Sequence, residues 1–129
     1  MIQYNFIKDS SLVKSKTNMD EINTVEGEFK VKFPLIYVDF ILNYNGVLFD
    51  NGVSIYSIDD IYQRNLDFEV QEYIEGFIAI GDDSGGRCIM LCLSNSSVYY
   101  LDQGSMDVDD IELISLDFKK AIEILAQNY

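Results

Sequence analysis

The stretch that most constrains the fold runs from residue 77 to residue 93 and reads as two apolar strands joined by a tight turn. The turn, residues 81–86, consists of glycine, aspartate and serine, the residue types that reverse a chain. In the second strand, residues 87–93, side chains alternate between two faces that are both apolar. A run this short, bounded by glycines, favours a strand over a helix. We therefore predict a hairpin whose second strand lies inside a sheet and is covered on both sides.

Other segments show either apolar residues at helical spacing or the alternation and turn signals of strands. We expect helices over residues 17–32, 35–44, 57–66 and 116–127. We expect further strands over residues 47–49, 53–56, 98–101 and, at an edge of the sheet, 111–114. The break between the first two helices falls at Pro34, because the residue before a proline disfavours helical geometry. Ser115 is the expected cap of the last helix.

This order of elements predicts the fold class. We expect an α+β protein, a single domain over residues 1–129, with a mainly antiparallel sheet and helices packed on one face. The 48% of hydrophobic residues is enough for a core. Residues 1–16 fit a strand or a short helix, and residues 67–76 show no decisive pattern. Gly27 weakens the first helix and suggests that another element approaches it closely.

The charge of the chain is strongly negative and unevenly distributed. Nine Lys and Arg residues against 22 Asp and Glu residues give a net charge of −13. Residues 1–33 hold five lysines and five acids, so residues 34–129 carry the whole of this charge. Such a field repels nucleic acid and anionic membranes and attracts basic proteins. The simpler explanation, that acidic residues keep a small protein in solution, stays open beside it.

Membrane and disulfide patterns are missing from the sequence. There is no run of 18 apolar residues, and the N-terminus lacks the basic start and apolar core of a secretion signal. We therefore expect a cytoplasmic protein without a membrane partner. Cys88 and Cys92 occupy one predicted strand, where their Cα atoms lie about 13 Å apart. Because a disulfide needs a much shorter separation, we expect two reduced thiols.

No residue pattern points to catalysis. The sequence has no histidine, which removes the commonest general base and the commonest neutral metal ligand. The acidic stretch 102–112 lacks the glycine and the glutamate of an EF-hand, and the turn 81–86 lacks the lysine and the helix of a phosphate loop. A pair of carboxylates of the glycosidase type stays open, although nothing selects one. We expect no catalytic residue, no metal and no cofactor.

Three motifs, taken in order, resemble the SUKH superfamily. The first consists of Ile22, Glu26, Phe29, Phe33-Pro34, Tyr37, Phe40 and Asn45-Gly46. The second is the run 77–86 followed by 98–102, and the third is the closing segment 115–125. The resemblance covers roughly residues 17–127, and the order of the three motifs is more specific than any one of them. The resemblance implies an α+β domain that binds proteins, in which the following residues determine the fold: Pro34, Tyr37, Phe40, Asn45, Gly46, Gly81 and Gly85.

The resemblance also implies a function. Many bacterial members of the superfamily are immunity proteins that bind and block a cognate toxin, often a nuclease. A nuclease exposes Lys and Arg to hold phosphates, and an acidic inhibitor can cover that surface. The expected partner is therefore a basic protein toxin, and the expected contact residues are Asp59, Asp60, Asp82, Asp83, Asp107, Asp109 and Asp110. For any one of them a solvated loop acid is the simpler interpretation. A regulatory or scaffold module inside the cell, with another protein partner, is the alternative function.

Overall fold

An antiparallel sheet whose strands follow one another along the chain forms the centre of the structure. The computed structural model describes residues 2–127. Within this range, the sheet has six strands in the order β1 to β6. They are β1 Val47–Leu48, β2 Ser54–Ile55, β3 Phe77–Asp82, β4 Arg87–Cys92, β5 Val98–Asp102 and β6 Glu112–Ser115. Met1, Asn128 and Tyr129, which belong to the predicted domain over 1–129, lie outside the described residues.

Five α-helices accompany the sheet in the described part of the chain. They are α1 Met19–Phe29, α2 Leu35–Asn43, α3 Ile61–Asp67, α4 Val70–Tyr73 and α5 Phe118–Gln127. Two single turns of 3₁₀-helix lie at Asp9–Ser11 and Val108–Asp110. The predicted α+β class, with an antiparallel sheet, is confirmed.

Strand β4 is buried on both faces, as its sequence predicts. Ile89 and Leu91 belong to the larger apolar cluster, which also contains residues of α1, α2 and α5. Cys88 and Met90 point the other way and group with Val70 of α4 in a smaller cluster. The three longer helices therefore pack on one face of the sheet, and the short helix α4 lies against the opposite face.

The N-terminal segment, left open between strand and helix, covers an edge of the sheet. Leu12 forms an isolated antiparallel bridge with Val47 of β1. The backbone N–H of Val13 donates to the carbonyl oxygen of Gly46 at 2.9 Å. Tyr4, almost fully buried, packs its ring edge-on against Phe40 with 5.0 Å between ring centroids. The edge of the sheet at β1 is thus closed by the chain itself.

The first helix is shorter than predicted at both ends. Asn18 caps it by accepting a hydrogen bond from the backbone N–H of Glu21 at 3.0 Å. The helix ends at Phe29 because Lys30 adopts the left-handed conformation, with φ of 60°. The buried carboxylate of Glu26 then accepts a 2.6 Å hydrogen bond from the backbone N–H of Phe33. This bond fixes the turn that leads into α2.

The predicted cap of the last helix is wrong by two residues. The Asp117 carboxylate accepts a hydrogen bond from the backbone N–H of Lys120 at 3.0 Å, as a helix cap does. The Ser115 hydroxyl oxygen instead accepts from the backbone N–H of Asp117, also at 3.0 Å. Ser115 therefore shapes the turn before the helix, and Asp117 caps it because the helix begins at Phe118, the next residue.

Two glycines show opposite packing constraints. Gly81 of β3 lies so close to β2 that an added Cβ atom would meet the backbone oxygen of Ser54 at 2.1 Å. Gly27 of α1, expected to admit a close neighbour, is exposed, and an added Cβ there would meet nothing within 4 Å. That expectation is therefore wrong, and of the two glycines only Gly81 is needed for close packing.

We predict that Gly81→Ala lowers the free energy of unfolding by about 1–3 kcal/mol or more, because β2 must move away from β3. The matched variant Gly27→Ala should raise it by about 0.5–1 kcal/mol, because alanine restricts the unfolded chain and suits a helix interior. Urea unfolding monitored by circular dichroism measures both values. Equal effects of the two substitutions on the free energy of unfolding would contradict the close approach of β2 and β3.

Candidate protein-binding surface

Helix α3 is held against the sheet by one buried asparagine. The side-chain amide of Asn65 donates to the carbonyl oxygen of Ala79, and its oxygen accepts from the N–H of Ala79, both at 2.8 Å. Strand β2 pairs with Gly81 and Asp82 of β3 and does not reach Ala79. The side chain of Asn65 therefore satisfies the backbone N–H and C=O of Ala79, as a neighbouring strand would do. The position of α3 relative to the sheet is therefore fixed by a side chain that imitates a strand.

A second buried asparagine fixes the turn that precedes α3. Asn45 accepts a 2.8 Å hydrogen bond from the backbone N–H of Ile58 and donates to the carbonyl oxygen of Ser15 at 2.9 Å. Ile58 is buried, whereas the next two residues, Asp59 and Asp60, are exposed. The Ser57 hydroxyl lies 3.3 Å from the Asp60 carboxylate and donates to it. The carboxylate of Asp59 is thereby presented on a well-anchored turn.

Helices α1 and α3 enclose an acidic groove on the surface. Phe29 of α1 packs edge-on against Tyr62 of α3, with 5.1 Å between the ring centroids. The groove beside this contact has a volume of about 400 Å³. We call it the α1–α3 groove, and it is lined by Glu21, Thr24, Val25, Glu28, Ile58, Asp59, Tyr62 and Gln63. None of these lining residues is basic, and the three acids among them are exposed.

Only part of this groove is predictable from the sequence. Asp59 was predicted as a contact residue, whereas Glu21 and Glu28 were not. Glu21 and Glu28 are seven residues apart on α1 and so lie on one face of it, which their spacing could have shown. That this face borders α3 depends on tertiary packing, which the sequence pattern does not contain.

The two aspartates of the β3–β4 turn are bound within the turn itself. The Asp82 carboxylate accepts from the Tyr56 hydroxyl at 2.7 Å and from the backbone N–H of Ser84 at 2.9 Å. The Asp83 side chain is only 7% exposed. Its carboxylate accepts from the Gly85 N–H at 2.7 Å and forms an ion pair with the Arg87 guanidinium at 2.8 Å. Both carboxylates are engaged in shaping the turn, which leaves Asp83 in particular little surface to offer a partner.

The environment of Asp83 changes its titration. Burial by itself would raise the pKa of this carboxyl, but hydrogen bonds from the Arg87 side chain and from the backbone N–H groups of Arg87 and Gly85 outweigh it. The pKa of Asp83 is therefore lower in the folded protein than its ordinary value. A carboxyl with a lowered folded pKa contributes stability above its unfolded pKa and loses it as the pH falls through the folded pKa.

We predict that Asp83→Asn lowers the free energy of unfolding at pH 7 by about 1–3 kcal/mol, because it removes a charged acceptor from Arg87. The difference from the unchanged protein should shrink as the pH falls below about 4, where the carboxyl becomes protonated first in the unfolded chain and then, at lower pH, in the folded protein. Urea unfolding at several pH values measures it. Asp50→Asn, at a side chain that is 94% exposed, is the control and should be neutral. If Asp83→Asn lowers the free energy of unfolding by the same amount down to pH 2, the ion pair between Asp83 and Arg87 is contradicted.

The remaining predicted acids lie together in the β5–β6 turn. Asp107, Asp109 and Asp110 are exposed, and the Asp107 carboxylate accepts from the backbone N–H of Asp109 at 2.9 Å. The Ser105 hydroxyl donates a short hydrogen bond to the Asp110 carboxylate. The seven predicted contact residues thus fall into three sites: the turn before α3, the β3–β4 turn and the β5–β6 turn.

The structure adds findings about membrane spans, metal sites and the two cysteines. Over residues 2–127, no helix is long and apolar enough to cross a membrane, and no cluster of three or more potential metal-binding side chains is present. Cys88 and Cys92 are free thiols. Burial is the main reason that the pKa of Cys88 rises to about 12, which keeps its thiol protonated at neutral pH.

Fold and surface together describe an α+β domain whose exposed features suit contact with another protein. Comparison with known proteins identifies the family. The chain matches the SMI1 / KNR4 family (SUKH-1) over residues 16–124 and belongs to it. The resemblance to the SUKH superfamily is therefore confirmed. The family is one of toxin-immunity-type domains and is known for immunity proteins rather than for catalysis, and it indicates a protein partner in general.

A relative among known proteins is also found. The chain is 33% identical over 109 residues to "Uncharacterized protein YnaB" of Bacillus subtilis (strain 168). The match covers 81% of this chain and 71% of that protein.

Proposed function

We propose that this protein is an immunity protein that neutralises a cognate toxin by binding it, without catalysis, and that the toxin presents a basic surface. Family membership supports an immunity-type role. The observation that carries the rest is the α1–α3 groove, a concave surface with three exposed carboxylates and no basic side chain along its lining. A nuclease is the expected class of toxin, because its phosphate-binding Lys and Arg residues are the natural complement of such a groove.

The groove offers both charge and a rigid contact. Glu28 of α1 and Asp59 before α3 supply carboxylates for a Lys or Arg side chain of the toxin. The ring of Tyr62 is held by its edge-on contact with Phe29, so little side-chain entropy is lost when a partner packs on it. A toxin residue held there is no longer available to bind phosphate. Inhibition by occlusion therefore requires only binding.

The negative net charge speeds the association of the protein with a basic toxin. Residues 34–129 carry the whole excess of acid, and several of these acids line α3, α4 and the β5–β6 turn. A one-signed field of this kind steers an oppositely charged partner and raises its association rate. Asp82 adds to this long-range field although its carboxylate accepts from Tyr56, whereas the charge of Asp83 is offset by its ion pair with Arg87.

We predict that wild-type protein rescues bacterial cells that express the cognate toxin domain and that Glu28→Lys combined with Asp59→Lys abolishes the rescue. The double variant should bind the toxin at least about tenfold more weakly, because it places like charges against the toxin surface. Both residues are exposed, so the fold should survive, which circular dichroism checks. Cell survival and titration calorimetry give the two readouts.

A matched control separates the groove from net charge. Asp50→Lys combined with Glu72→Lys changes the net charge equally at exposed positions outside the groove. Cells that express this control variant should still survive the toxin, and its association rate constant with the toxin should fall only in part. Equal loss in both double variants would contradict the groove as the contact surface. Tight binding of another cellular protein without protection from any toxin would favour the regulatory or scaffold function instead.

A further inference from the structure

Strand β6 leaves one edge of the sheet open. Over residues 2–127, β6 pairs with β5 on one side and with no strand on the other. The opposite edge is different, because Leu12 and Val13 close it at β1. An open strand presents unpaired backbone N–H and C=O groups, to which an extended chain can add.

Strand β6 lacks the two residue types that most often block an edge. Natural edge strands are commonly blocked by lysine or proline, and residues 112–115 contain neither, although β6 is only four residues long, begins with Glu112 and shifts its register against β5 between Leu113 and Ser115. Leu113 is 51% exposed, and the neighbouring Val108 and Leu116 are 47% and 69% exposed. The edge therefore combines open backbone groups with apolar side chains that an added strand can cover.

Charge decides what can occupy this edge. Acids flank the strand on both sides: Asp109 and Asp110 precede it, Glu112 begins it, and Asp117 follows it. In an antiparallel pair of two copies, the acids before one strand would meet the acid after the other. Because like charges opposite one another destabilise a strand pair, a second copy is disfavoured. A segment with an apolar centre and basic ends is complementary at every position.

We propose that β6 binds an extended, lysine- or arginine-bearing segment of a protein partner, which adds to the sheet as a seventh strand. The proposal rests on the proposed function only in taking the partner to be basic. Backbone hydrogen bonds to β6 supply affinity, Leu113 packs against apolar side chains of the added strand, and the flanking acids select for basic ends. This contact would accompany the one at the α1–α3 groove.

A synthetic peptide tests the proposal on the full chain. The probe is a capped peptide of about eight residues, the length of an ordinary strand, with lysines at both ends and alternating valine and threonine between them. We expect its binding to shift the amide resonances of residues 112–115 in ¹⁵N-labelled protein and to slow their hydrogen exchange. A second peptide with the same side chains and alternate methylated backbone nitrogens should bind at least about tenfold more weakly, because it cannot donate to the strand.

Two leucines of equal exposure provide matched protein variants. Leu113→Lys adds a basic side chain to β6 and should abolish peptide binding, whereas Leu48→Lys alters β1, where the leucine is 52% exposed, and should leave it unchanged. Equal binding of the two peptides, resonance shifts that avoid residues 112–115, or equal effects of the two variants would overturn the proposal.

Rescue from the toxin by wild-type protein, with no peptide bound at β6, would refute strand addition and leave the proposed function standing. Strand addition at β6 without rescue from the toxin would support the peptide site and contradict the proposed function.

Discussion

Burial of strand β4 from both sides is the constraint on which the rest of the structure depends. Because its two faces are apolar, the chain must cover each with other elements. The helices α1, α2 and α5 contribute to the cover of one face, and Val70 and Ile74 contribute to the cover of the other. This requirement uses most of the large apolar residues and leaves the acids to turns and outer helix faces. The acidic surface is thus a consequence of the same arrangement that forms the core.

The elements that the sequence predicted well are those specified by neighbouring residues. The β3–β4 hairpin follows from alternation and turn chemistry within residues 77–93, and the start of α2 follows from Pro34. The features that it missed are contacts and element ends that depend on residues farther along the chain. Asn65 bonds to a residue 14 positions away, and the end of α1 depends on a left-handed Lys30 together with the hydrogen bond that the Phe33 N–H donates to Glu26. No local pattern contains these contacts.

The same distinction applies to the candidate surface. All seven predicted aspartates look alike in the sequence, since each is an acid in a predicted turn or loop or in the first turn of a predicted helix. In the structure, Asp83 is nearly covered because the N–H groups of its own turn and the side chain of Arg87 converge on it. Asp59 and Asp109, by contrast, are exposed. Whether an acid shapes a turn or faces solvent is decided by the turn's backbone geometry, which the sequence gives only in part.

If exposed carboxylates draw a basic toxin onto the protein, the speed of association must depend on ionic strength. The most direct measurement is the association rate constant with the cognate toxin domain, followed by stopped-flow fluorescence across a range of NaCl concentrations. We predict a fall of at least about tenfold between 50 and 500 mM, with a smaller change in the dissociation rate, because salt screens the steering field. An association rate that stays constant over this range would contradict electrostatic recognition of the toxin.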